Sequence, residues 1–322
     1  MKTGPDSSTI YRIARYYYTE GLSQEDIAAK EGFSRSQISR LIEKAREMGM
    51  VRISLHPPAD LRSQELAATL SERFGLKSVL VAPVRAKAPA AKTSLAIATL
   101  AADFLAQELA GYSLVGLGWG HTVYQTAELL PTAEPGRPGP FFVPLIGISG
   151  DDNPDLQINT IIDRFASAFR SKGLFINIPS VREKGSPISQ LDAQRLALLT
   201  QRWDRVEAAV FGLGPAPAES GMLISELPAD YIQELKKSPA CGDILAQFFD
   251  PEGRLFVAER SLELLAFGIE RLKGLKRAIC LAGGPGKARG ICAAASAGWL
   301  SDLVTDSETA AEMARLSEGR RR

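Results

Sequence analysis

The stretch GLSQEDIAAKEGFSRSQISRLIEKAREMGMVRI, residues 21–53, reads as two short helices joined by a tight turn, a helix-turn-helix. Ser23 suits the N-cap of the first helix, and Asp26 three residues later completes an Asp version of a capping box. Ile27 and Ala28 supply its buried face, Gly32 breaks it, and Ser34 restarts the chain as a second cap. Ile38, Leu41, Ile42 and Ala45 then recur at three- and four-residue intervals along one face, with Arg35, Ser36, Gln37, Ser39 and Arg40 opposite. A DNA-reading helix requires this division, because the apolar stripe docks on its own domain while Arg, Gln and Ser near the N-terminus meet base edges and phosphates. An amphipathic helix over residues 9–19 precedes the pair, and Gly49 ends the second helix. Residues 51–55, VRISL, alternate like a short strand, the wing of a winged helix. The candidate DNA contacts are Ser23, Gln24, Ser34, Arg35, Ser36, Gln37, Ser39, Arg40 and, from the wing, Arg52. A helical hairpin with a solvated polar face is the plainer alternative, and the three flanking features weigh against it.

With 322 residues the chain is too long for this module alone, so a second unit of roughly 260 residues follows, ample for a large core. His56-Pro57-Pro58 marks the boundary, since proline cannot continue a wing's pairing. Two domains are predicted, 1–56 and 57–322, the second opening with a connecting helix over 60–74 that carries Leu61, Leu66, Leu70 and Phe74 at helical spacing. The formal charge of +1 argues against non-specific nucleic-acid coating and a bulk membrane-surface role, so any affinity for DNA is expected to be local. Cys241, Cys280 and Cys292 are odd in number and lack metal-ligand spacing, which argues against a disulfide framework or zinc site and fits a reducing cytoplasm. Neither an export signal nor a run of about 18 apolar residues is expected to anchor the chain in a membrane.

Beyond residue 77 short apolar runs alternate with helical patterns. Strands are predicted at 78–84, 114–117, 141–146, 175–178, 208–213, 278–281 and 303–304, and helices at 94–109, 121–130, 156–169, 191–201, 262–272 and 286–297. This alternation implies a doubly wound α/β domain, a mostly parallel sheet covered on both faces. Residues 132–140 and 214–221 are surface loops by their Pro and Gly content. Ligands of such sheets bind beyond the carboxyl ends of the strands, where this chain is rich in glycine. Gly116-Leu117-Gly118-Trp119-Gly120-His121-Thr122 runs from a strand into a helix start, so backbone N–H groups and the helix dipole can hold an anion. Ala282-Gly283-Gly284-Pro285-Gly286-Lys287 repeats the arrangement and adds a lysine. Phe211-Gly212-Leu213-Gly214 closes a third strand, and residues 145–153, containing Gly147 and the acidic Asp151-Asp152, follow a fourth. Neither of the first two turns has the GxGxxG spacing of a dinucleotide site, so a phosphorylated small molecule fits better. Tight turns needing positive φ, and a solvated helix start for Lys287, account for the same residues without any ligand.

Motif by motif, the chain resembles the SorC family of sugar-binding transcriptional regulators. Residues 21–53 look like its helix-turn-helix and VGLGWGHT is similar to its glycine-tryptophan-glycine turn. AAVFGLGP, CGDILAQFFDPEG and ICLAGGPGKARGICAAASAGWLSDLVTD resemble its later blocks in order. The resemblance implies a Rossmann-like effector domain of the ribose-phosphate isomerase and glucosamine-phosphate deaminase type, binding a phosphorylated sugar or sugar alcohol without a resident cofactor or metal. It further implies a homodimer or homotetramer on double-stranded operator DNA. Carried over, Gly118, Gly120, His121 and Thr122 hold the phosphate, Asp243 the sugar hydroxyls, and Lys287 the phosphate or a sugar oxygen, with Trp119, Gly147 and Gly212 completing the candidate site. His121 stands where the family commonly has Arg or Lys, which implies effector affinity falling between about pH 6 and 8. Cys241 replaces an expected small β-branched residue before the GDI motif.

The function expected is thus a cytoplasmic, nucleoid-associated regulator of a carbohydrate or sugar-alcohol operon, with repression relieved by effector. The competing class is a sugar-phosphate isomerase or deaminase using Lys287, Asp243 or His121 in acid–base work. No catalytic carboxylate can be placed beside a ring-opening position, and a reading head has no purpose in such a catalyst.

Overall fold

The structure, a computed structural model, describes residues 6–51, 60–134, 136, 139–149, 157–217, 227–256 and 262–318. Its contacts divide the chain into two units, Met1–His56 and Pro57–Arg322.

The first unit packs three helices, α1 (Ser7–Tyr18), α2 (Gln24–Glu31) and α3 (Arg35–Glu47). Ser23 and Asp26 close a reciprocal capping box on α2, and Gly32 ends that helix in the left-handed region at φ 72, where glycine has no Cβ to clash. Ser34 and Gln37 form a second box on α3, in which the Gln37 carbonyl accepts from the Ser34 N–H at 2.8 Å. Ile10, Ile13, Ile27, Ile38, Ile42 and Ala45 form one buried cluster. Each buried isoleucine contributes about 1.5–3 kcal/mol. Arg12 grips Glu31 with two hydrogen bonds of 2.9 and 2.8 Å, fixing α1 against α2. Arg35, Ser36, Gln37, Ser39 and Arg40 face solvent. The wing beyond Val51, with Arg52, lies outside the described residues.

The second unit opens with α4 (Leu61–Phe74), capped by Asp60. Its centre is a six-stranded, wholly parallel sheet of β1 (Ser78–Ala82), β2 (Leu114–Leu117), β3 (Phe141–Pro144), β5 (Ala208–Gly212), β9 (Arg277–Leu281) and β10 (Asp302–Asp306), in the order β1-β10-β9-β5-β2-β3. Residues of both parities are buried along β2 and β10, which requires cover on both faces. That cover comes from α5 (Ala90–Glu108) against β1, β9 and β10, α6 (His121–Leu129) against β5, α7 (Ile158–Ala168) and α8 (Gln190–Trp203) against β3, and α11 (Ser307–Glu318) against β1 and β10. Two small antiparallel pairs sit outside the sheet: β4 (Val181–Glu183) with β8 (Leu262–Leu264), and β6 (Gly242–Ile244) with β7 (Gln247–Phe249). Helices α9 (Ala229–Lys237) and α10 (Ala288–Ser296) complete the unit.

Three expected elements differ. Residues 175–178, predicted as a strand, form none, because the Asn159 side chain takes both backbone groups of Ile176, accepting its N–H at 3.0 Å and donating to its carbonyl at 2.7 Å. Residues 262–272, predicted as a helix, begin as β8, and only Ile269–Gly274 coils, as a 3₁₀ segment. The Gln247 side chain holds the bend between them through Phe267 O and Ile269 N. The helix predicted at 286–297 starts later, Pro285–Lys287 being a 3₁₀ turn that places Lys287 at the N-cap of α10.

Candidate functional site

The chain runs from β2 to its neighbour β3 and later returns to the other side of β2 as β5, so the strand order reverses between β2 and β5. A crevice opens at the carboxyl ends on either side of such a reversal. Beyond β2, Gly120 (φ 135) is the N-cap of α6 and offers no side-chain cap. The first N–H groups of that helix therefore remain open to a ligand. His121 is exposed at its first position, and the Thr122 hydroxyl is hydrogen-bonded to Ser94 of α5 at 3.0 Å. Trp119 is half-buried against the main core.

The glycines around this turn are fixed by close approach. A Cβ on Gly118 would lie 2.7 Å from Leu245 and 2.9 Å from Phe211, and one on Gly212 would lie 3.2 Å from the Trp119 carbonyl. The Gly118 N–H is committed to the Val210 carbonyl at 2.8 Å, so Gly118 shapes the turn and donates nothing. Gly147 is similar: its N–H bonds to Leu265 O at 2.9 Å and a Cβ there would meet the Ser180 backbone at 2.6 Å. Asp151 and Asp152 lie outside the described residues.

Asp243 sits on β6, whose hairpin turns through Leu245 (φ 53) and Ala246 (φ 59). Two consecutive positive φ angles define a type I′ turn, and non-glycine residues there cost on the order of 1 kcal/mol each or more. Asp243 offsets part of this by accepting the Ala246 N–H on Oδ2 at 3.2 Å. The residue is 4% exposed, yet its other oxygen, Oδ1, has no hydrogen-bond partner. Burial pushes its carboxyl up to about 7, against the opposing pull of the Ala246 N–H and the Lys287 ammonium. Gly214 pairs with Asp243 through the backbone, and any Cβ at Gly214 would strike Oδ1.

Lys287 approaches from the end of β9. Burial lowers its pKa, while the charges of Asp243 and Cys280 raise it. The approach depends on Gly290 of α10, where a Cβ would come within 2.7 Å of the Cys241 carbonyl just before β6. Cys280 itself is pushed up to about 12 by burial, which makes it an inert thiol. Three adjacent strand ends, of β2, β5 and β9, thus bring together an open helix N-terminus, a half-buried ammonium and a buried carboxylate with one oxygen unused. The arrangement can hold a small anion carrying hydroxyl groups.

Reading the sequence missed Ser94, Gly290 and Asp306, the last a buried carboxylate that accepts the Gly284 N–H at 2.9 Å. Only the small-residue pattern GICAAASAG hinted at the close α10 packing. Among the described residues no three His, Cys, Asp or Glu gather as metal ligands, and no helix is long and apolar enough to cross a membrane.

The family model Sugar-bind, a sugar-binding domain, matches residues 61–315. The sorbitol operon regulator of Klebsiella pneumoniae is 27% identical over 315 residues, covering 96% of this chain and 98% of its own. The transcriptional regulator LsrR of Klebsiella pneumoniae subsp. pneumoniae is 30% identical over 319 residues, covering 97% and 94%. Among solved structures, the full-length sorbitol operon regulator SorC from Klebsiella pneumoniae superposes with a TM-score of 0.75 at 26% identity, covering 97% of this chain and 100% of that one. The chain therefore belongs to the Sugar-bind family of sugar-binding domains, in the SorC type of transcriptional regulator.

Proposed function

We propose that this regulator binds double-stranded operator DNA through residues 1–56 and responds to a phosphorylated sugar or sugar alcohol held by residues 57–322. The observation that carries the effector half is the buried Asp243 carboxylate with an unpartnered oxygen, set beside Lys287. A buried polar atom left without a partner is costly, and a sugar hydroxyl is a donor that relieves it. The phosphate sits on the open N–H groups at the start of α6 with His121 and Thr122, and Lys287 reaches the phosphate or a sugar oxygen. Trp119 and Gly212 wall the turn, and no resident cofactor takes part.

In the reading unit, the solvent-facing Arg35, Ser36, Gln37, Ser39 and Arg40 of α3 meet the major groove, with Gln24 and the capping serines Ser23 and Ser34 near the backbone. Arg52 contributes a phosphate contact. One helix spans only a few base pairs, so paired half-sites and a homodimer or homotetramer follow. The protein acts in the cytoplasm on the nucleoid, and effector relieves repression of a carbohydrate or sugar-alcohol operon, in keeping with the relative named for the sorbitol operon. Thermal-shift titration with a panel of sugar phosphates tests this reading: a ligand raises the midpoint by mass action, and Lys287→Ala abolishes the rise. Turnover of a panel member would favour a sugar-phosphate isomerase or deaminase instead. In duplex-binding titrations Arg40→Ala loses about 1–3 kcal/mol of specific affinity and leaves the thermal shift intact.

A further inference from the structure

Asp306 is fully buried at the end of β10 and accepts four hydrogen bonds. The N–H groups of Glu308 (3.0 Å) and Thr309 (2.9 Å) donate to Oδ1, capping α11. The Thr309 hydroxyl (2.6 Å) and the Gly284 N–H (2.9 Å) donate to Oδ2. The last bond crosses to the turn that ends in Lys287, whose own N–H is tied to the Gly284 carbonyl at 2.9 Å. A Cβ on Gly283 would strike both Asp306 and Ile97, so this turn rests on the carboxylate at the closest possible approach. The opposite end of α11 is held as firmly. Arg73 of α4 donates to the Ala314 carbonyl at 2.7 Å and the Ser317 hydroxyl at 2.6 Å, and meets Glu318 at 3.2 Å. Beside that grip lies an open pocket of about 260 Å³ lined by Phe74 of α4, Arg289 and Cys292 of α10, Leu316 and Ser317 of α11, and Pro251 and Glu252 from the loop after β7. It leaves α11 room to shift without compressing a close-packed core. In sequence, α4 is the first helix after the reading unit.

We infer that α11 couples effector occupancy to the reading unit, with Asp306 the positioning residue for the Lys287 turn and Arg73 the grip that passes movement of α11 to α4. The inference rests on the reading of Lys287 as an effector contact. A ligand that draws on Lys287 displaces the Gly284 turn, the Gly284 N–H carries that displacement to Asp306, and the helix capped by the same carboxylate moves with it. Occupancy then biases two packings of α11 against α4, the two-state element that coupling requires.

The test uses the full chain, a duplex selected by the wild type from a random library, and a mixture of hexose, hexitol and pentose monophosphates as probe. In the wild type the probe raises the thermal midpoint and changes duplex affinity by about tenfold or more. Arg73→Met keeps the thermal rise and the probe-free duplex affinity, but the probe changes its duplex affinity by less than about twofold, and Arg73→Lys restores part of the response. Asp306→Asn, which keeps an acceptor for the α11 cap, weakens the probe about tenfold; should it not fold, the Arg73 variants decide alone. An Arg73→Met protein that responds as the wild type does, or that loses the duplex without probe, overturns the coupling role and leaves the effector site standing. A wild type whose midpoint ignores the probe overturns the effector reading, and the coupling role with it.

Discussion

Two buried aspartates stand at opposite ends of the same parallel sheet. Asp302, at the amino end of β10, is 0% exposed and takes Arg277 at 2.5 Å and the Ser301 hydroxyl at 2.6 Å, while the same Arg277 also donates to Glu108 at 2.8 Å. Asp243, near the carboxyl ends, has one long hydrogen bond and one oxygen with none. Burial raises the pKa of both, so both carry a desolvation cost. Asp302 has several side-chain partners within the chain to offset it, where Asp243 has one backbone N–H. A carboxylate fully tied within the chain, as Asp302 is and as Asp306 is at the other end of the same strand, is thus fastened for stability, whereas Asp243 is left with capacity to spare.

Breaking the satisfied cluster gives the largest expected effect. Asp302→Ala leaves the half-buried Arg277 short of a partner and lowers the unfolding free energy by on the order of 3 kcal/mol in urea titrations. A loss well under about 1 kcal/mol would put the two aspartates on the same footing. Asp243→Asn is expected to do the reverse. A carboxyl raised from 3.8 to about 7 in the folded state favours folding at low pH, and that contribution is lost as pH rises from about 4 through 7. The Asn variant loses this slope and at pH 8 is more stable than the wild type, while its thermal response to sugar phosphates disappears. A parallel pH profile in the two proteins would show that Asp243 is not held in the strained protonation state its burial implies. The smallest effect falls on Lys287→Met, which removes a half-buried ammonium and changes the stability of the free protein by about 1 kcal/mol or less at pH 8. Its thermal response to the panel is nonetheless lost, so stability and ligand response separate at this position.

Much of this was legible in the residues themselves. Ile38, Leu41, Ile42 and Ala45 share one buried face because helical spacing leaves no other way to bury them together. The core strands of the sheet were legible as short apolar runs between glycine turns. Strand β10 showed only Leu303 and Val304, since its terminal aspartates look polar in sequence and are buried only by virtue of Arg277, Gly284 and Thr309. Residues 175–178 and 262–272 were misread for the same kind of reason: the side chains of Asn159 and Gln247 take backbone groups from far along the chain. The β6–β7 hairpin was hidden because Leu245 and Ala246 occupy a turn usually marked by Asn-Gly. Within the candidate site, the turns of Gly118 and Lys287 announced themselves, whereas Asp243 entered only through family resemblance. The geometry adds that Gly118 and Gly147 act by what they lack rather than by their N–H groups.

The capping box on α3 narrows what its glutamine can say to a base pair. With one carbonyl lone pair already engaged by the Ser34 N–H, Gln37 keeps both amide hydrogens but only one acceptor position to present. A glutamine free at both ends grips adenine, donating to N7 and accepting from the exocyclic amine, whereas one whose oxygen is part-engaged leans towards edges rich in acceptors, such as guanine N7 and O6 or thymine O4. If Gln37 meets a base in the proposed operator complex, a contact to G or T rather than A is the signature this cap would leave in a selected binding sequence.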